Sequence, residues 1–199
     1  MSTQREQSEN PRRVKVILIG DSAVGKTSVA VRFAKNQYQD FKLATIAASF
    51  LEKTIEMNGA NIIFQIWDTA GTERCRSLIP IYARGAEFAV VMYDITSKES
   101  FENVSFWSNQ LTDDNIRYVL VGNKTDLEDK RQVSIEDARS FAEKQNMYFI
   151  EVSARTGENI ERCFSNIAKI ISTYKRRSKS SNNICIGNTA PGNSRHRCC

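Results

Sequence analysis

The stretch that decides the fold is "VKVILIGDSAVGKT", residues 14–27. Its first half is short and apolar, which predicts a buried strand, and "GKTSVAVRFAKNQ" (25–37) predicts a helix directly after it. Between the two, Gly20 to Thr27 fit the pattern G-x-x-x-x-G-K-[ST]. Glycines let successive backbone amides turn towards one phosphate, and the helix N-terminus adds a partial positive charge. The stretch therefore predicts a loop that binds a nucleoside triphosphate or a similar ligand.

Two side chains of this loop have predicted roles in phosphate chemistry. Lys26 is expected to reach the β- and γ-phosphates, and the Thr27 hydroxyl is expected to bind Mg²⁺. The loop residues expected to contact the nucleotide are Ser22, Ala23, Val24, Gly25, Lys26, Thr27 and Ser28.

A second motif, "DTAGTE" (68–73), follows the apolar run "ANIIFQIW" (60–67). In phosphate-loop nucleotide-binding proteins a second strand, parallel to the first, ends in an aspartate near Mg²⁺, and Asp68 fits that role. Gly71 would let its backbone N–H approach the γ-phosphate, because any side chain there would obstruct the approach. The two motifs support each other, since each predicts the same ligand.

The rest of the chain predicts an α/β fold of the P-loop NTPase class. Further buried strands are expected at 88–94, 117–123 and 147–153, with helices at 100–111, 134–145 and 158–175 between and after them. Ser134, with Asp137 three residues on, is expected to cap the second of these helices. An Asn-Gly pair between 49–57 and 60–67 predicts a β-hairpin. We therefore expect a six-stranded, mostly parallel sheet with one antiparallel edge strand and helices on both faces.

Charge and composition restrict the remaining possibilities. The 199-residue chain carries a formal charge of +5, but six of its 28 basic residues and no acidic residue lie in 175–199, leaving the body nearly neutral. We expect a disordered extension over 1–12, one folded domain over 13–174 and a flexible basic tail over 175–199. That distribution favours an anionic membrane surface over nucleic acid, although a solvated tail without a target is an equal alternative. No secretory signal or membrane span is evident, which predicts a protein of the cytosol or of a surface facing it.

Cysteine and histidine exclude several kinds of chemistry. The five cysteines show neither a pairing pattern nor a zinc-like spacing, so a disulfide framework and a metal finger are not expected. The one histidine, His196, lies in the tail. Catalysis by a Ser-His or Cys-His pair is therefore excluded for the body of the chain.

Two further motifs follow the last two strands of the predicted sheet. They are "NKTD" (123–126) and "SAR" (153–155). Guanine presents an N1–H and an exocyclic amine side by side, and the carboxylate of Asp126 is placed to accept both. Adenine lacks that pair of donors and would leave the carboxylate unpaired, so it is expected to be rejected. Together the four motifs predict a guanine nucleotide.

With these motifs, residues 13–174 resemble the Ras-like small GTPases and, among them, the Rab branch. The resemblance is carried by "WDTAG", "ERCRSLIPIYARGA", "VMYDIT", "VGNKTDL" and the terminal "CC". It implies a GTP/GDP switch with Mg²⁺, in which Thr45 closes over the metal and the γ-phosphate as the first switch and residues 71–84 form the second. It also implies that Tyr38 lies near the base edge. The remaining base contacts that it implies come from Asn123, Lys124, Asp126, Ser153, Ala154, whose amide faces guanine O6, and Arg155.

The resemblance also implies partners and a location. Phe50, Trp67 and Tyr82 match the aromatic trio that effectors bind in Rabs, with ordinary core packing as the alternative for each. Further implied partners are an exchange factor, a GTPase-activating protein, a prenylation escort protein and a GDP-dissociation inhibitor. "TIAASF" (45–50) resembles the early-endocytic Rabs, so the expected place is the cytoplasmic face of an endosome or vesicle, with cycling through the cytosol.

Two features make this chain distinctive. Most of the family has glutamine where this chain has Thr72, and that amide orients the attacking water, so Thr72 and Lys26 are the candidate catalytic residues and slow intrinsic hydrolysis is expected. Cys75 and Ala83 stand where many Rabs have tyrosines. The alternatives are a GTP-locked effector-binding module and a P-loop nucleoside kinase, for which the chain shows no lid insertion.

The end of the tail predicts a membrane anchor. The Rab pattern implies that both Cys198 and Cys199 are geranylgeranylated, with an unmodified pair of thiols as the alternative. Two lipid chains, or one chain with a basic segment, hold a protein to a membrane far more firmly than one chain alone.

Overall fold

The computed structural model describes residues 11–39, 45–111, 113 and 115–180, without the side chains of 73, 74 and 174–180. A six-stranded sheet has the spatial order β2-β3-β1-β4-β5-β6. Its strands are β1 (Arg12–Gly20), β2 (Ala48–Met57), β3 (Ala60–Thr69), β4 (Phe88–Asp94), β5 (Arg117–Asn123) and β6 (Tyr148–Val152). Only β2 and β3 pair antiparallel among these strands, and every other neighbouring pair is parallel. The predicted sheet is confirmed.

The turn between β2 and β3 has the predicted hairpin geometry. Asn58 and Gly59 have φ angles of 53° and 75°, the left-handed values that a two-residue turn between twisted antiparallel strands requires. Gly59 takes this conformation without cost because it has no Cβ. The hairpin sets the register in which Ser49 faces Asp68 and Phe50 faces Trp67.

Six α-helices surround the sheet, and two 3₁₀-helices lie in its connections. The α-helices are α1 (Lys26–Lys35), α2 (Ile79–Ala83), α3 (Lys98–Glu102), α4 (Val104–Ser108), α5 (Ile135–Lys144) and α6 (Ile160–Ser180). The 3₁₀-helices span Glu73–Leu78 and Thr125–Lys130. None of the helices described, α6 included, combines the length and apolar content needed to cross a bilayer.

Helix boundaries differ from the sequence prediction at one place above all. The single helix expected over 100–111 is two short helices, α3 and α4, and the first begins earlier, where the Ser97 side chain accepts a hydrogen bond from the Ser100 amide. Asn103 separates them with a ψ of −7°, which departs from helical geometry. The predicted cap of α5 is confirmed, since Ser134 Oγ accepts from the Asp137 amide at 3.0 Å.

Each face of the sheet has its own apolar core. Under α1 and α6, Phe33 stacks on Phe164 with ring centroids 3.7 Å apart, and Phe64 meets both edge-on. Under α2 to α5, the second core contains Tyr93 and Trp107. The expectation of a strand at 147–153 buried on both faces is wrong, because β6 forms the edge of the sheet and Val152 is its only fully buried residue.

The parallel strands all point the same way, so their carboxyl ends meet along one edge of the sheet. The loops that follow β1, β3, β4, β5 and β6 therefore converge there. In open α/β sheets this edge is where ligands bind. All four sequence motifs lie in these loops.

Candidate nucleotide site

The phosphate loop lies between β1 and α1 and fits closely against the neighbouring strands. Gly20 has a φ of 138°, and a Cβ there would lie 2.2 Å from the carbonyl oxygen of Met92 in β4. Gly25 has a φ of 97°, and its Cβ would lie 2.2 Å from Nδ2 of Asn123. Any other residue would displace the loop, so these glycines are required by packing as well as by the turn.

Lys26 lies folded over the loop that contains it. Its side chain is almost wholly buried, and Nζ donates to the carbonyl oxygens of Gly20 at 2.8 Å and Asp21 at 2.6 Å. Burial lowers the pKa of Lys26 to about 8, although the nearby carboxylates of Asp68 and Asp21 act in the opposite direction. The amine is therefore held where a phosphate would lie and is poised to lose its proton in mildly alkaline solution.

The three residues predicted to bind a metal are together. Thr27 Oγ1 donates to Asp68 Oδ2 at 2.7 Å and lies 2.9 Å from Thr45 Oγ1. Asp68 is fully buried at the end of β3, and Ser49 Oγ also donates to it at 3.3 Å. Two hydroxyls and a carboxylate are the hard oxygen donors that Mg²⁺ prefers, so the residues fit that ion.

The structure shows a packing constraint on Gly71 that the sequence did not predict. A Cβ at this position would lie 2.5 Å from the carbonyl oxygen of Gly20 and 2.4 Å from the carbonyl carbon of Asp21. The segment after β3 therefore packs directly on the main chain of the phosphate loop. The expected contact of Gly71 with a γ-phosphate stays a prediction, and contact with the loop is an additional reason for glycine.

Thr72 lies at the start of the first 3₁₀-helix. It is partly exposed, its carbonyl oxygen accepts from the Cys75 amide at 3.0 Å, and its side chain makes no capping hydrogen bond. Cys75 is largely buried, and its Sγ lies 3.3 Å from the carbonyl oxygen of Ile46. The cysteine that stands in place of a tyrosine thus joins the two predicted switch segments.

A cavity of about 220 Å³ lies beside the phosphate loop, where the base is expected. It is lined by Ala23, Gly25, Ser28, Tyr38, Gln39, Asn123, Lys124, Asp126, Leu127, Ala154 and Arg155. Of these residues, only Gln39 and Leu127 were absent from the sequence prediction. Ser22 and Val24, also predicted, line a neighbouring cavity of about 440 Å³ on the other side of the loop, together with Gly71 and Lys124.

The loops around the base cavity are joined by a continuous set of hydrogen bonds. Asn123 Nδ2 donates to the Val24 carbonyl oxygen at 2.8 Å, and its Oδ1 accepts from the Ala154 amide at 3.1 Å. Ser153 is fully buried, and its Oγ donates to Asp126 Oδ1 at 2.6 Å. Asn123 and Ser153 therefore hold the walls of the cavity in place.

Lys124 and Asp94 form an ion pair at this edge of the sheet. Their nearest atoms, Nζ and Oδ2, are 2.5 Å apart, and Asp94 is 7% exposed at the end of β4. Lys124 has a φ of 75°, so the backbone turns sharply after β5. The pair fixes the side chain of Lys124 at the boundary between the two cavities.

Sequence reasoning missed two groups of supporting residues. Asp21, inside the phosphate loop, accepts from Asn103 Nδ2 at 2.8 Å and from Trp107 Nε1 at 2.6 Å. Arg131, after the second 3₁₀-helix, donates to both carboxylate oxygens of Glu151 at 2.8 Å each, and those hydrogen bonds raise the pKa of Arg131. No local signal could have revealed these pairs, because the partners are far apart in the chain.

The aromatic trio forms one connected surface. The ring centroids of Phe50 and Trp67 are 5.5 Å apart, and those of Trp67 and Tyr82 are 6.0 Å apart. Phe50 is 48% exposed, whereas Trp67 and Tyr82 pack partly against the core. Ile46 and Ile81, close in the chain to Phe50 and Tyr82 respectively, are also exposed. Cys198 and Cys199 lie outside the described residues.

Comparison with known proteins agrees with this geometry. A family model described as "Ras family" matches residues 15–173. The chain is 40% identical to the Ras-related protein RHN1 of Nicotiana plumbaginifolia, with 96% of this chain and 98% of that protein covered. It is 39% identical to the Ras-related protein Rab5 of Nicotiana tabacum over the whole of both chains. It is also 39% identical to the Ras-related protein Rab-5A of Dictyostelium discoideum, with 93% and 94% covered.

Proposed function

The chain belongs to the Ras family of small GTPases and, within it, to the Rab GTPases, and from that premise we propose how its own residues carry out the switch. It is a GTPase and a GTP-binding switch of vesicle trafficking. The assignments of residues to roles that follow are supported by the convergence of four motifs at one edge of the sheet. The observation that carries them is the base cavity, lined on one side by the phosphate loop and on the other by the two base motifs.

The base is recognised by Asp126 and by the loop at 153–155. Asp126 accepts the N1–H and the amine of guanine, and the Ala154 N–H, which donates to Asn123 Oδ1 in the structure, is shared with O6 when the base is bound. Support comes from the bond that Ser153 donates to Asp126, which leaves the other carboxylate oxygen to serve a ligand. Asn123 joins this loop to the phosphate loop, and Lys124 and Tyr38 line the same cavity.

The phosphates are held by the loop of residues 22–28 and by Lys26. In binding them, Lys26 exchanges its present carbonyl partners for phosphate oxygens. Thr27, Thr45 and Asp68 would hold Mg²⁺, which would neutralise charge on the phosphates. Thr45, in the first switch, already lies 2.9 Å from Thr27 at this site. Gly71 lies against the phosphate loop, so the second switch begins next to the terminal phosphate.

Hydrolysis breaks the bond between the γ-phosphorus and the bridging oxygen, with water as the nucleophile and GDP and phosphate as products. Positioning of the water contributes much of the acceleration in this family of reactions. Thr72 is shorter than glutamine and carries one hydroxyl, so it orients water less well. We propose that the intrinsic rate is slower than that of a glutamine-bearing relative by about 10-fold or more.

Single-turnover cleavage of GTP by wild type and Thr72→Gln measures this directly. The glutamine variant is expected to be faster, and Thr72→Val, which replaces the hydroxyl with a methyl group, is expected to match wild type within about 3-fold. Equal rates for wild type and Thr72→Gln would remove the role assigned to this position.

The second candidate is a GTP-locked module that binds effectors and scarcely hydrolyses GTP. The observation that favours this candidate is that Thr72 has no side-chain amide with which to orient the attacking water. An activating protein that brings its own water-orienting group would bypass Thr72. Turnover measured with such an activating protein separates the two. A switch reaches multiple turnovers under exchange, whereas a locked module stays loaded with GTP.

The guanine assignment has its own experiment. Purified full-length chain with Mg²⁺ is titrated with a fluorescent GDP and then challenged with unlabelled GDP, GTP, ADP and ATP. Guanosine nucleotides are expected to compete at least about 10³-fold better than adenosine nucleotides, because adenine offers the Asp126 carboxylate no pair of N–H donors. Equal competition by ATP would overturn the base assignment and favour a nucleoside kinase.

The tail and the aromatic patch give the switch its location and its partners. We propose geranylgeranylation of Cys198 and Cys199 and attachment to the cytoplasmic face of an endosome or vesicle, with the basic segment of 175–199 as the tether of the domain at 13–174. The first six residues of that segment belong to α6, which extends beyond the predicted end of the domain. Effectors then dock on Phe50, Trp67 and Tyr82, whose connected and partly exposed rings support that role. Exchange factor, activating protein, escort protein and dissociation inhibitor complete the cycle.

Mass spectrometry of the protein from a eukaryotic host tests the anchor. The expected mass includes two geranylgeranyl groups, and the matched control is a chain lacking residues 198–199. An unmodified C-terminus would contradict the lipidation.

A further inference from the structure

Arg32 on α1 lies outside every nucleotide-binding motif. It nevertheless contacts, at two places, the loop of residues 153–157 that follows β6, here called the base loop. Its Nε donates to the carbonyl oxygen of Ala154 at 2.8 Å, and its Nη2 donates to the carbonyl oxygen of Arg155 at 2.6 Å. Arg32 is more than 120 positions away from both residues in the chain. Two adjacent donors of one planar group thus hold two consecutive carbonyls.

The same guanidinium also holds the end of α1. Its Nη1 donates to the carbonyl oxygen of Asn36 at 3.2 Å and lies 3.4 Å from the Asn36 side-chain oxygen. Asn36 caps α1 in the left-handed conformation, with a φ of 51°. The chain then continues to Tyr38, whose ring centroid lies 5.8 Å from the guanidinium carbon. Arg32 therefore contacts both the base loop and the segment that leads to Tyr38.

These contacts fix the shape of the base cavity. The peptide group is planar, so holding the carbonyls of Ala154 and Arg155 fixes the planes of two successive peptides. The Ala154 amide on the preceding peptide is held from the other side by Asn123 Oδ1 at 3.1 Å. The main chain of Ala154 is thus held by side chains from α1 and β5 at once. Ala154, which Arg32 holds, and Tyr38, whose ring lies near the guanidinium, both line the cavity.

Charge and shape explain why arginine is suited to this place. Each of its hydrogen bonds is charge-assisted, and the rigid fork of donors matches two carbonyls in a way that the single ammonium of lysine does not. Gly157, with a φ of 89°, passes over the stem of the side chain, and a Cβ there would lie 3.8 Å from Arg32 Cδ. The base loop therefore lies along the Arg32 side chain from Ala154 to Gly157.

We propose that Arg32 is a positioning residue for guanine recognition: by holding the carbonyls of Ala154 and Arg155, it keeps the loop amide in place for O6 of the base and slows nucleotide release. This inference rests on the proposed function, because it requires a guanine in the cavity. It adds to the base half of the site a residue from the last turn of α1, beyond the phosphate loop.

The experiment uses the full chain with Mg²⁺ and measures release of three diphosphates: GDP, the 6-thio analogue of GDP, and inosine diphosphate. The 6-thio analogue weakens the acceptor at position 6 and keeps the amine, whereas inosine keeps O6 and lacks the amine. Wild type is compared with Arg32→Met, Arg32→Lys and the remote control Arg12→Met, which breaks an ion pair with Glu87 at the other end of the sheet.

Arg32→Met is expected to release GDP about 10-fold faster than wild type, and Arg32→Lys about 3-fold faster, since lysine retains one charged donor. The preference for GDP over the 6-thio analogue is expected to shrink in Arg32→Met, while the preference for GDP over inosine diphosphate, which depends on Asp126, is retained. Arg12→Met is expected to match wild type in all three.

Other results would overturn the proposal. Release of GDP from Arg32→Met at the wild-type rate would do so. Equal acceleration for all three nucleotides would also do so, because it indicates general loosening of the fold rather than loss of the O6 contact. If Arg32→Met does not fold, Arg32→Lys gives the same comparison. Failure of the proposed function is distinguishable, since wild type itself would then show no preference for GDP over ADP.

Discussion

In the base half of the candidate site, hydrogen bonds join the phosphate loop to the loops that follow β5 and β6, whereas in the phosphate half the side chains proposed to bind phosphate and metal contact one another or their own loop. Asn123 joins the Val24 carbonyl to the Ala154 amide, and Ser153 holds Asp126. In the phosphate half, Thr27 bonds to Asp68 and Thr45, and Lys26 bonds to the loop that carries it.

The two halves of the site are expected to respond differently when a nucleotide binds. The contacts of the base half are expected to persist when a base enters, because Asp126 has a second carboxylate oxygen for the ligand and the Ala154 N–H can be shared between Asn123 Oδ1 and O6. The contacts of the phosphate half must be exchanged for phosphate and metal contacts, because the same atoms serve both. The half that exchanges its contacts is also the half that carries the two switch segments.

The largest expected effect comes from the base half. Asp126→Asn replaces an acceptor with a group that presents its own N–H donors to the N1–H and amine of guanine, so GDP affinity is expected to fall by about 10³-fold or more. Competition against a fluorescent GDP measures it. The matched control is Asp129→Asn, an exposed carboxylate in the same 3₁₀-helix. A loss of less than tenfold would mean that the base half is not where guanine is selected.

A smaller effect is expected from the metal ligands of the phosphate half. Thr27→Val keeps the shape of the side chain and removes its hydroxyl, so Mg²⁺ is expected to support GDP affinity about 100-fold less well. The readout is the ratio of GDP release rates with and without a chelator of divalent ions. This ratio is expected to be large in wild type and close to one in the variant.

Thr54→Val, on the exposed face of β2, serves as the control for that measurement. If chelation accelerates release from Thr27→Val as strongly as from wild type, then Thr27 does not bind the metal. The contrast between the two halves would then need another explanation.

The smallest expected effect is a pH dependence of the phosphate half. In the free protein, burial lowers the pKa of Lys26 to about 8, and a bound phosphate raises it again, so binding takes up a proton at higher pH. Affinity for GDP is therefore expected to be constant up to about pH 8 and to fall above it, by about tenfold between pH 7 and pH 9. The terminal phosphate titrates near pH 6, outside this window.

Titration calorimetry at a series of pH values follows this change, with Lys26→Met as the control. The methionine variant binds more weakly overall, and its affinity is expected not to vary between pH 7 and pH 9. A wild-type affinity that is flat to pH 9.5 would show that Lys26 stays charged in the free protein.

Much of the site was predictable because its residues follow strands of one parallel sheet. The ends of such strands meet, so Asp68, Asn123 and Ser153 could be placed together from their positions after apolar runs. The Asn-Gly turn likewise predicted the antiparallel edge. Local patterns of this kind are fixed by backbone geometry, which the sequence encodes over a few residues.

The parts that were not predictable are contacts between distant side chains and main-chain atoms. Arg32 meets Ala154, and Asn103 meets Asp21, through pairings that leave no periodic pattern in the sequence. The break between α3 and α4 was missed because apolar residues keep helical spacing across it, at 101, 104, 107 and 111. The departure at Asn103 coincides with its bond to the phosphate loop. The two 3₁₀-helices are too short to produce a periodic signal.

The placement of the two tryptophans has a practical consequence. Trp107 donates its indole N–H to Asp21 of the phosphate loop, and Trp67 lies between Phe50 and Tyr82 on the proposed effector surface. The chain contains no other tryptophan. Tryptophan fluorescence of the unlabelled protein thus originates from one emitter beside the candidate nucleotide site and one within the proposed effector surface, and replacing either with phenylalanine isolates the signal of the other.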